Sequence, residues 1–281
     1  MASLTQLKKE IQFNGQLGSL LHVMKSIAAQ QFQTLEDRWT SNQLFFEILE
    51  AIASSFDLED IQHPFTQGAG PAGVIAVTSD AGLLGGLNQQ VVTAALREYR
   101  KQAGQLIVIG KRGLTYVQEH GFSCKEFPGV QDETRWKLAD EVRTYALDLA
   151  LQGRIGSLTI VYPRALSFTL QRVEVVHALP CQAWLKAGTQ RGVTGGAILM
   201  ESSVASVLEY LVWAWLGEQL FEMFGSSRLA ELAARSIHLE GSTHELTRRR
   251  TRLMLRYFKQ RREVIDRGMR ELFAARSTYR G

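Results

Sequence analysis

The residues best placed for chemistry lie in Val77-Thr78-Ser79-Asp80-Ala81-Gly82-Leu83-Leu84-Gly85-Gly86-Leu87-Asn88. This segment follows the apolar run Val74-Ile75-Ala76-Val77 and opens an amphipathic stretch from Asn88 to Ala103. A turn so placed sits at the carboxyl edge of a strand, where open α/β sheets bind ligands. Gly82, Gly85 and Gly86 allow close backbone approach or positive φ, and Asp80 has a carboxylate able to coordinate a metal or accept hydrogen bonds. No Gly-Lys-Ser/Thr follows, so it is not a phosphate-binding P-loop, and no Asp-x-Asp pair suits phosphoryl transfer. The plainer reading is a tight strand-to-helix turn with Asn88 near the cap.

Other patterns carry less. Gly68-Ala69-Gly70-Pro71-Ala72-Gly73 has the letters of a dinucleotide fingerprint, but it precedes a strand instead of following one, and its proline interrupts the N–H cradle. It reads as a flexible loop. His22, His63, His120, His177, His238 and His244 are scattered without metal-ligand spacing, and no Gly-x-Ser-x-Gly elbow is present. The expectation is therefore no catalytic residue, no cofactor and no metal. The densest charge feature is Arg248, Arg249, Arg250, Arg252, Arg256, Lys259, Arg261 and Arg262, with no acid between Glu245 and Glu263. On a helix these cations form a collar. A solvated face is the bland reading, but mutual repulsion favours an acidic partner, either nucleic acid or an acidic protein ring. Aromatic interleaving is thin, which speaks against a stacking platform for single strands.

The elements that position these residues emerge from hydrophobic period. The 281 residues are 45% apolar and 21% charged, with a net charge of +4, so a packed core is expected. Two cysteines suit a reducing compartment. The N-terminal stretch lacks the apolar region of a secretory leader, and Glu209 and Glu218 bound the most apolar segment too closely for a membrane span. From Leu4 to Phe56 there is no proline. Leu4, Leu7, Ile11, Asn14, Gly18, Leu21, Met24 and Ala28 step by three and four, which predicts one helix of about 80 Å. Between Gly73 and Pro180, strand signals (Val74–Val77, Leu106–Ile109, Leu158–Tyr162) alternate with helical stretches, and Phe168–Val176 follows as an antiparallel neighbour. Leu179 to Gly196 reads as a loop. From Glu201 to Arg276, Leu232, Leu239, Leu246 and Leu253 recur every seven residues, with Gly217, Gly225 and Gly241 as expected weak points.

These patterns predict an α/β fold class with a long antiparallel coiled coil of N- and C-terminal helices and a central Rossmann-like open domain. The expected boundaries are 1–60 for the first helix, 72–180 for the α/β domain and 200–277 for the last helix. Two heptad-patterned ends of such length suit a rod better than helices laid on a body of roughly 30 Å diameter.

The residues resemble the γ subunit of F-type ATP synthases, the central rotor stalk. Met24-Lys25-Ser26-Ile27-Ala28-Ala29 is similar to the family's Met-x-Met-Val-Ala-Ala stretch. Val77–Asn88 is similar to its S/T-D-R-G-L-C-G-G-L-N signature through Asp80, Gly82, Gly85, Gly86 and Asn88. Ala233-Ala234-Arg235 through Thr243, then Tyr257, Lys259, Arg261, Ile265 and Glu271-Leu272, follow its C-terminal helix motif. The departures are Ala81 and Leu84 in place of the signature arginine and cysteine. Arg262, Asp266 and Glu245 replace glutamine, threonine and asparagine, and Phe273-Ala274-Ala275 replaces Gly-Gly-Ala. The drift marks a divergent or alternate-type member.

The resemblance implies a mechanical subunit with no active site of its own. It couples a membrane rotor ring to a catalytic ring of α and β subunits, beside an ε subunit, at the cytoplasmic face of the cell membrane. It implies ring contacts at Met24, Lys25, Arg235, Thr243, Arg249, Arg250, Arg252, Arg256, Lys259, Arg261, Arg262 and Asp266. Nucleic acid is not among the implied partners. Two alternatives stand beside it: a nucleotide-dependent enzyme around Asp80, and a nucleic-acid-binding coiled coil using the arginine collar.

Overall fold

A computed structural model describes residues 3–38, 42–54, 61–182, 184–185 and 202–278. The elements are α1 (Leu4–Asp37), α2 (Gln43–Ser54), α3 (Pro64–Gln67), β1 (Ala72–Val77), α4 (Leu87–Lys101), β2 (Gln105–Ile109), α5 (Lys111–Glu119), β3 (Lys125–Phe127), α6 (Arg135–Leu151), β4 (Ser157–Ala165), β5 (Gln171–Leu179) and α7 (Val204–Thr278). The chain divides into one unit of Met1–Gln30 with Ser236–Gly281 and another of Gln31–Arg235. Helices α1 and α7 contribute residues to both.

In the larger unit the strand order is β3-β2-β1-β4-β5. The first four strands pair in parallel, and β5 runs antiparallel to β4. Every residue of β1 is buried, as a parallel strand covered on both faces requires. Alternate residues divide between two layers. Val74, Ala76, Leu106 and Val108 pack with Val91, Val92 and Ala95 of α4. Ile75, Val77, Ile107 and Ile109 pack with α6, with Leu49 and Ala53 of α2, and with α7 from Leu208 to Phe224. Each fully buried valine or isoleucine contributes about 1.5–3 kcal/mol to this core.

The expected antiparallel neighbour is β5, shifted to Gln171–Leu179. Short β3 and α3 carry too few residues for a period to reveal them. Most of the loop expected over Leu179 to Gly196 lies outside the described residues.

The single helix expected from Leu4 to Phe56 is two helices: α1 ends at Asp37 after 34 residues, and α2 begins at Gln43. The heptad phase of α1 continues through Phe46, Leu49 and Ala53, so spacing alone does not reveal the interruption. Asn42 starts α2. Its carbonyl accepts from the N–H groups of Phe45 and Phe46. Its side chain donates to Glu218 Oε1 at 2.6 Å, and its N–H donates to Glu222 Oε1 at 3.2 Å. Burial raises the Glu222 carboxyl above its ordinary pKa, with Asn42 opposing that shift.

Helix α7 runs unbroken for 75 residues, about 110 Å, through Gly217, Gly225 and Gly241. Gly217 is not a weak point, because it makes room for Arg143 of α6. A methyl group there would collide with the Arg143 guanidinium. That guanidinium stacks 3.5 Å from the Trp213 ring centroid, pairs with Asp140 and donates to the Trp213 carbonyl. Burial lowers its pKa.

In the smaller unit α1 and α7 run antiparallel, as the close pairs Lys25–Glu240 and Gly15–Arg250 establish. The buried positions of α1, Leu7, Asn14 and Ala28, lie on one heptad stripe, with Leu21 half-buried between them. On α7 the stripe holds Ser236, Leu239 and Leu253, with Thr243, Leu246 and Tyr257 half-buried. Small residues open a gap of about 360 Å³ in this seam, between Asn14, Gly15 and Gly18 and the facing Thr243, Thr247 and Arg250.

One substitution at two places tests this account of α7. Replacing an exposed helical glycine by alanine gains up to about 1 kcal/mol, whereas overpacking a filled site costs about 1–3 kcal/mol. No atom lies within 4 Å of a methyl added at Gly241. Thermal unfolding followed by circular dichroism should therefore show Gly241→Ala raised in Tm and Gly217→Ala lowered.

Candidate functional site: the Asp80 turn and the paired terminal helices

The Asp80 turn leaves β1 at the point where strand order reverses between β1 and β4, the place where doubly wound sheets take up ligands. Its polar groups face inward. Asp80 Oδ1 accepts from the backbone N–H of Lys111 at 2.9 Å and of Gly129 at 3.1 Å, joining β1 to the start of α5 and to the loop after β3. Ser79 N–H donates to Asn88 Oδ1 at 3.2 Å, and Asn88 Nδ2 donates to Ser79 Oγ at 2.9 Å. Thr78 Oγ1 donates to the Ile109 carbonyl and accepts from Gly113 N–H. Asn88 thus closes the turn on itself from the first turn of α4, as the plainer reading expects. Gly86 takes the N-cap position, with no side-chain cap.

Leu83 is the exception to this inward closure. Its φ is 66°, and its side chain is 44% exposed. A left-handed conformation costs a residue with a Cβ roughly 1–2 kcal/mol, and burial returns little to this leucine. Its neighbour Leu84 points inward and packs with Leu87, Ala165, Ala230 and Ala234. Ala230 and Ala234 of α7 thus cover the turn on its inner side, beside the end of β4.

Sequence reasoning missed the ionic cluster that surrounds this stretch of α7. Glu231 pairs with Arg228 Nη1 at 2.9 Å and with Arg235, and Arg228 reaches Asp132 at 4.0 Å. The i,i+3 and i,i+4 spacing of Arg228, Glu231 and Arg235 was the available signal. Arg235 is thus committed to an internal pair. Nothing in the spacing reveals that Arg135 lies over the Phe221 ring, 3.9 Å from its centroid. Among the described residues no three His, Cys, Asp or Glu side chains converge on a metal site. Cys124 and Cys181 are free thiols, and burial pushes Cys181 up to about 12.

The remaining candidates lie in the smaller unit. Met24 is half-buried beside the seam. Lys25 Nζ meets Glu240 Oε1 at 2.7 Å and holds that carboxyl below its usual range. Thr243 Oγ1 donates to the Leu239 carbonyl at 2.8 Å. Arg250 occupies a seam position, its guanidinium beside Gly15, and so belongs in part to the coil itself. Arg252 reaches Glu245 at 3.1 Å. Arg249, Arg256, Lys259, Arg261, Arg262 and Asp266 are exposed, and the Asp266 carbonyl accepts from Arg270. The collar thus points to solvent around most of α7. Beyond it Val264, Ile265, Met269, Leu272 and Phe273 are more than half exposed.

A protein-family model described as ATP synthase matches residues 3–277. The chain belongs to the ATP synthase gamma-chain family. It is 23% identical to the ATP synthase gamma chain of Pelotomaculum thermopropionicum over 279 residues, covering 97% of each chain. It is 25% identical to that of Clostridium acetobutylicum, covering 96% of each. The fold is shared with a chain of the Euglena gracilis mitochondrial ATP synthase in an OSCP/F1/c-ring structure, at TM-score 0.69 and 16% identity, covering 98% of this chain and 94% of that one. It is also shared with a chain of that enzyme's rotor, at TM-score 0.67 and 15% identity, covering 93% and 98%. Such low identity over full length marks a divergent member of a family of ATP synthase subunits. No helix among the described residues is long and apolar enough to cross a membrane.

The role of Asp80 as a backbone acceptor has a direct test. Asp80→Ala leaves two N–H groups without their acceptor and should cost about 1–3 kcal/mol, whereas Asp80→Asn keeps one carbonyl oxygen there and should cost less. Urea unfolding of the two variants should rank them in that order. Leu83→Gly, which relieves the left-handed leucine, should raise stability by up to about 1 kcal/mol.

Proposed function

We propose that this chain is the rotating central shaft of an F-type ATP synthase, coupling a membrane ion-driven ring to a catalytic ring of α and β subunits. The observation that carries this reading is α7. One helix of 75 residues pairs with α1 along a heptad seam and, in its earlier part, lies in the core of the α/β unit. Two helices locked by a seam resist twisting better than one, which suits a part that carries torque.

In this reading the coil turns within the α/β ring, and the α/β unit engages ε and the c-type membrane ring, at the cytoplasmic face of the cell membrane. The shaft has no reaction centre. Each face it presents stabilises a different conformation of the catalytic subunits, so rotation converts differential contact energy into ATP synthesis, and hydrolysis drives the reverse. The collar of Arg249, Arg250, Arg252, Arg256, Lys259, Arg261 and Arg262 meets acidic loops at the ring. Met24, Lys25, Thr243 and Asp266 lie on the same pair of helices, while Arg235 acts through its pairing with Glu231.

The nucleotide-enzyme reading is weaker. Asp80 is spent on backbone N–H groups, and Ala230 and Ala234 fill the crevice beside it. The nucleic-acid reading accounts for the collar but leaves the turn signature unexplained.

Co-expression with α and β subunits tests the proposal. The full chain should co-purify with both, and the variant carrying Gln at Arg249, Arg250, Arg252 and Arg256 should assemble more weakly and with less salt sensitivity. Absence of co-purification would contradict the shaft reading, and wild-type assembly in the Gln variant would remove the collar from it.

A further inference from the structure

The start of α2 rests on two carboxyl groups served by one cation. Glu218 and Glu222 stand one turn apart on α7, and both accept from Asn42. Glu218 is 5% exposed and takes the Asn42 amide at 2.6 Å, the short contact of an ionised acceptor. Glu222 is half-buried and takes the Asn42 N–H at 3.2 Å, longer than a bond to an ionised carboxylate. Arg135 of α6 is the cation that acts on both, and Asp132 acts on it as well. Farther along α7, Glu231 takes Arg228 and Arg235, and Arg228 also reaches Asp132 at 4.0 Å. Those two arginines serve Glu231 and Asp132, so Arg135 is left to neutralise Glu218 and Glu222 together. Two carboxylates that share a desolvated site and a single cation are relieved by one proton.

We propose that Glu222 is a proton-binding site whose occupancy sets how firmly α2 is held on α7. The groups acting on it are Asn42 at the start of α2, Glu218 of α7 and Arg135 of α6. Burial raises the Glu222 carboxyl above the ordinary carboxylate range, and Glu218 adds to that rise, while Asn42 and Arg135 oppose it. With the proton bound, Glu222 keeps a carbonyl oxygen for the Asn42 N–H, and Glu218 has Arg135 to itself. With the proton lost, a second charge repels Glu218 and competes for Arg135, which outweighs the stronger bond that an ionised Glu222 makes to Asn42. The joint then loosens, and Leu49 and Ala53 of α2 are seated less firmly against α7. The folded chain binds this proton more tightly than the unfolded one. The stability it contributes is therefore complete below the ordinary carboxylate range and is lost as pH rises through the raised value. The proton site stands whether or not the chain turns as a shaft.

Glu222→Gln carries the uncharged acceptor at every pH. In thermal unfolding of the full chain it should raise Tm by about 2–4 °C at about pH 8 and leave it within about 1 °C of wild type at about pH 5. Trypsin cleavage after Arg38, at the end of α1, reads the joint itself. At about pH 8 the wild-type chain should be cut about fivefold faster than Glu222→Gln, with the ratio falling towards one as pH is lowered. Nuclear magnetic resonance of the full chain, isotopically labelled at its glutamate carboxyl carbons, follows the proton directly. The resonance missing from Glu222→Gln should titrate above the ordinary carboxylate range. Titration of that resonance within the range would overturn the proton site. So would a Tm difference between the two chains that is the same at every pH, or a lower Tm in Glu222→Gln at about pH 8. Equal cleavage of the two chains after Arg38 at about pH 8 would overturn the hold of the proton on α2.

Discussion

Helix α7 must stay one helix while its surroundings change. Between Leu208 and Ala234 it is buried on several sides, with Leu208, Val212, Leu216, Leu220, Phe224 and Ala230 wholly enclosed. From Ser236 to Leu253 only a stripe is buried, and past Gln260 the apolar side chains are exposed. A helix apolar all round belongs in a core, and one with a narrow seam belongs in a coiled coil. Within the larger unit Gly217 makes room for Arg143, and Ala230 and Ala234 let Leu84 and Leu87 pack against the helix.

The same helix covers the edge of the sheet where its strand order turns. Strand order 3-2-1-4 creates a ligand crevice at the carboxyl ends of β1 and β4. Leu84, Leu87 and Ala165 pack there on Ala230 and Ala234, and the Asp80 carboxylate accepts from the N–H groups of Lys111 and Gly129.

Much of this was legible in the residues because burial imposes period. The heptads of Leu7, Asn14, Leu21 and Ala28 and of Leu239, Leu246 and Leu253 marked the seam, and continuous apolar runs marked β1, β2 and β4. The end of α1 at Asp37 was not legible, because the spacing runs on in phase through Phe46, Leu49 and Ala53. Where α2 starts, Asn42 is held by long-range hydrogen bonds to Glu218 and Glu222, which spacing does not reveal. The turn signature was visible, but the place of Arg143 was not, because it packs against Gly217, distant in sequence, and single-residue spacing has no access to that.

The most direct test of the account is to follow the orientation of the α/β unit while the assembled complex hydrolyses ATP. With the α and β subunits fixed to a surface and a probe attached through an exposed residue of α4, the account predicts continued turning of the probe in one sense for as long as ATP is consumed. A stationary probe with undiminished hydrolysis would contradict it.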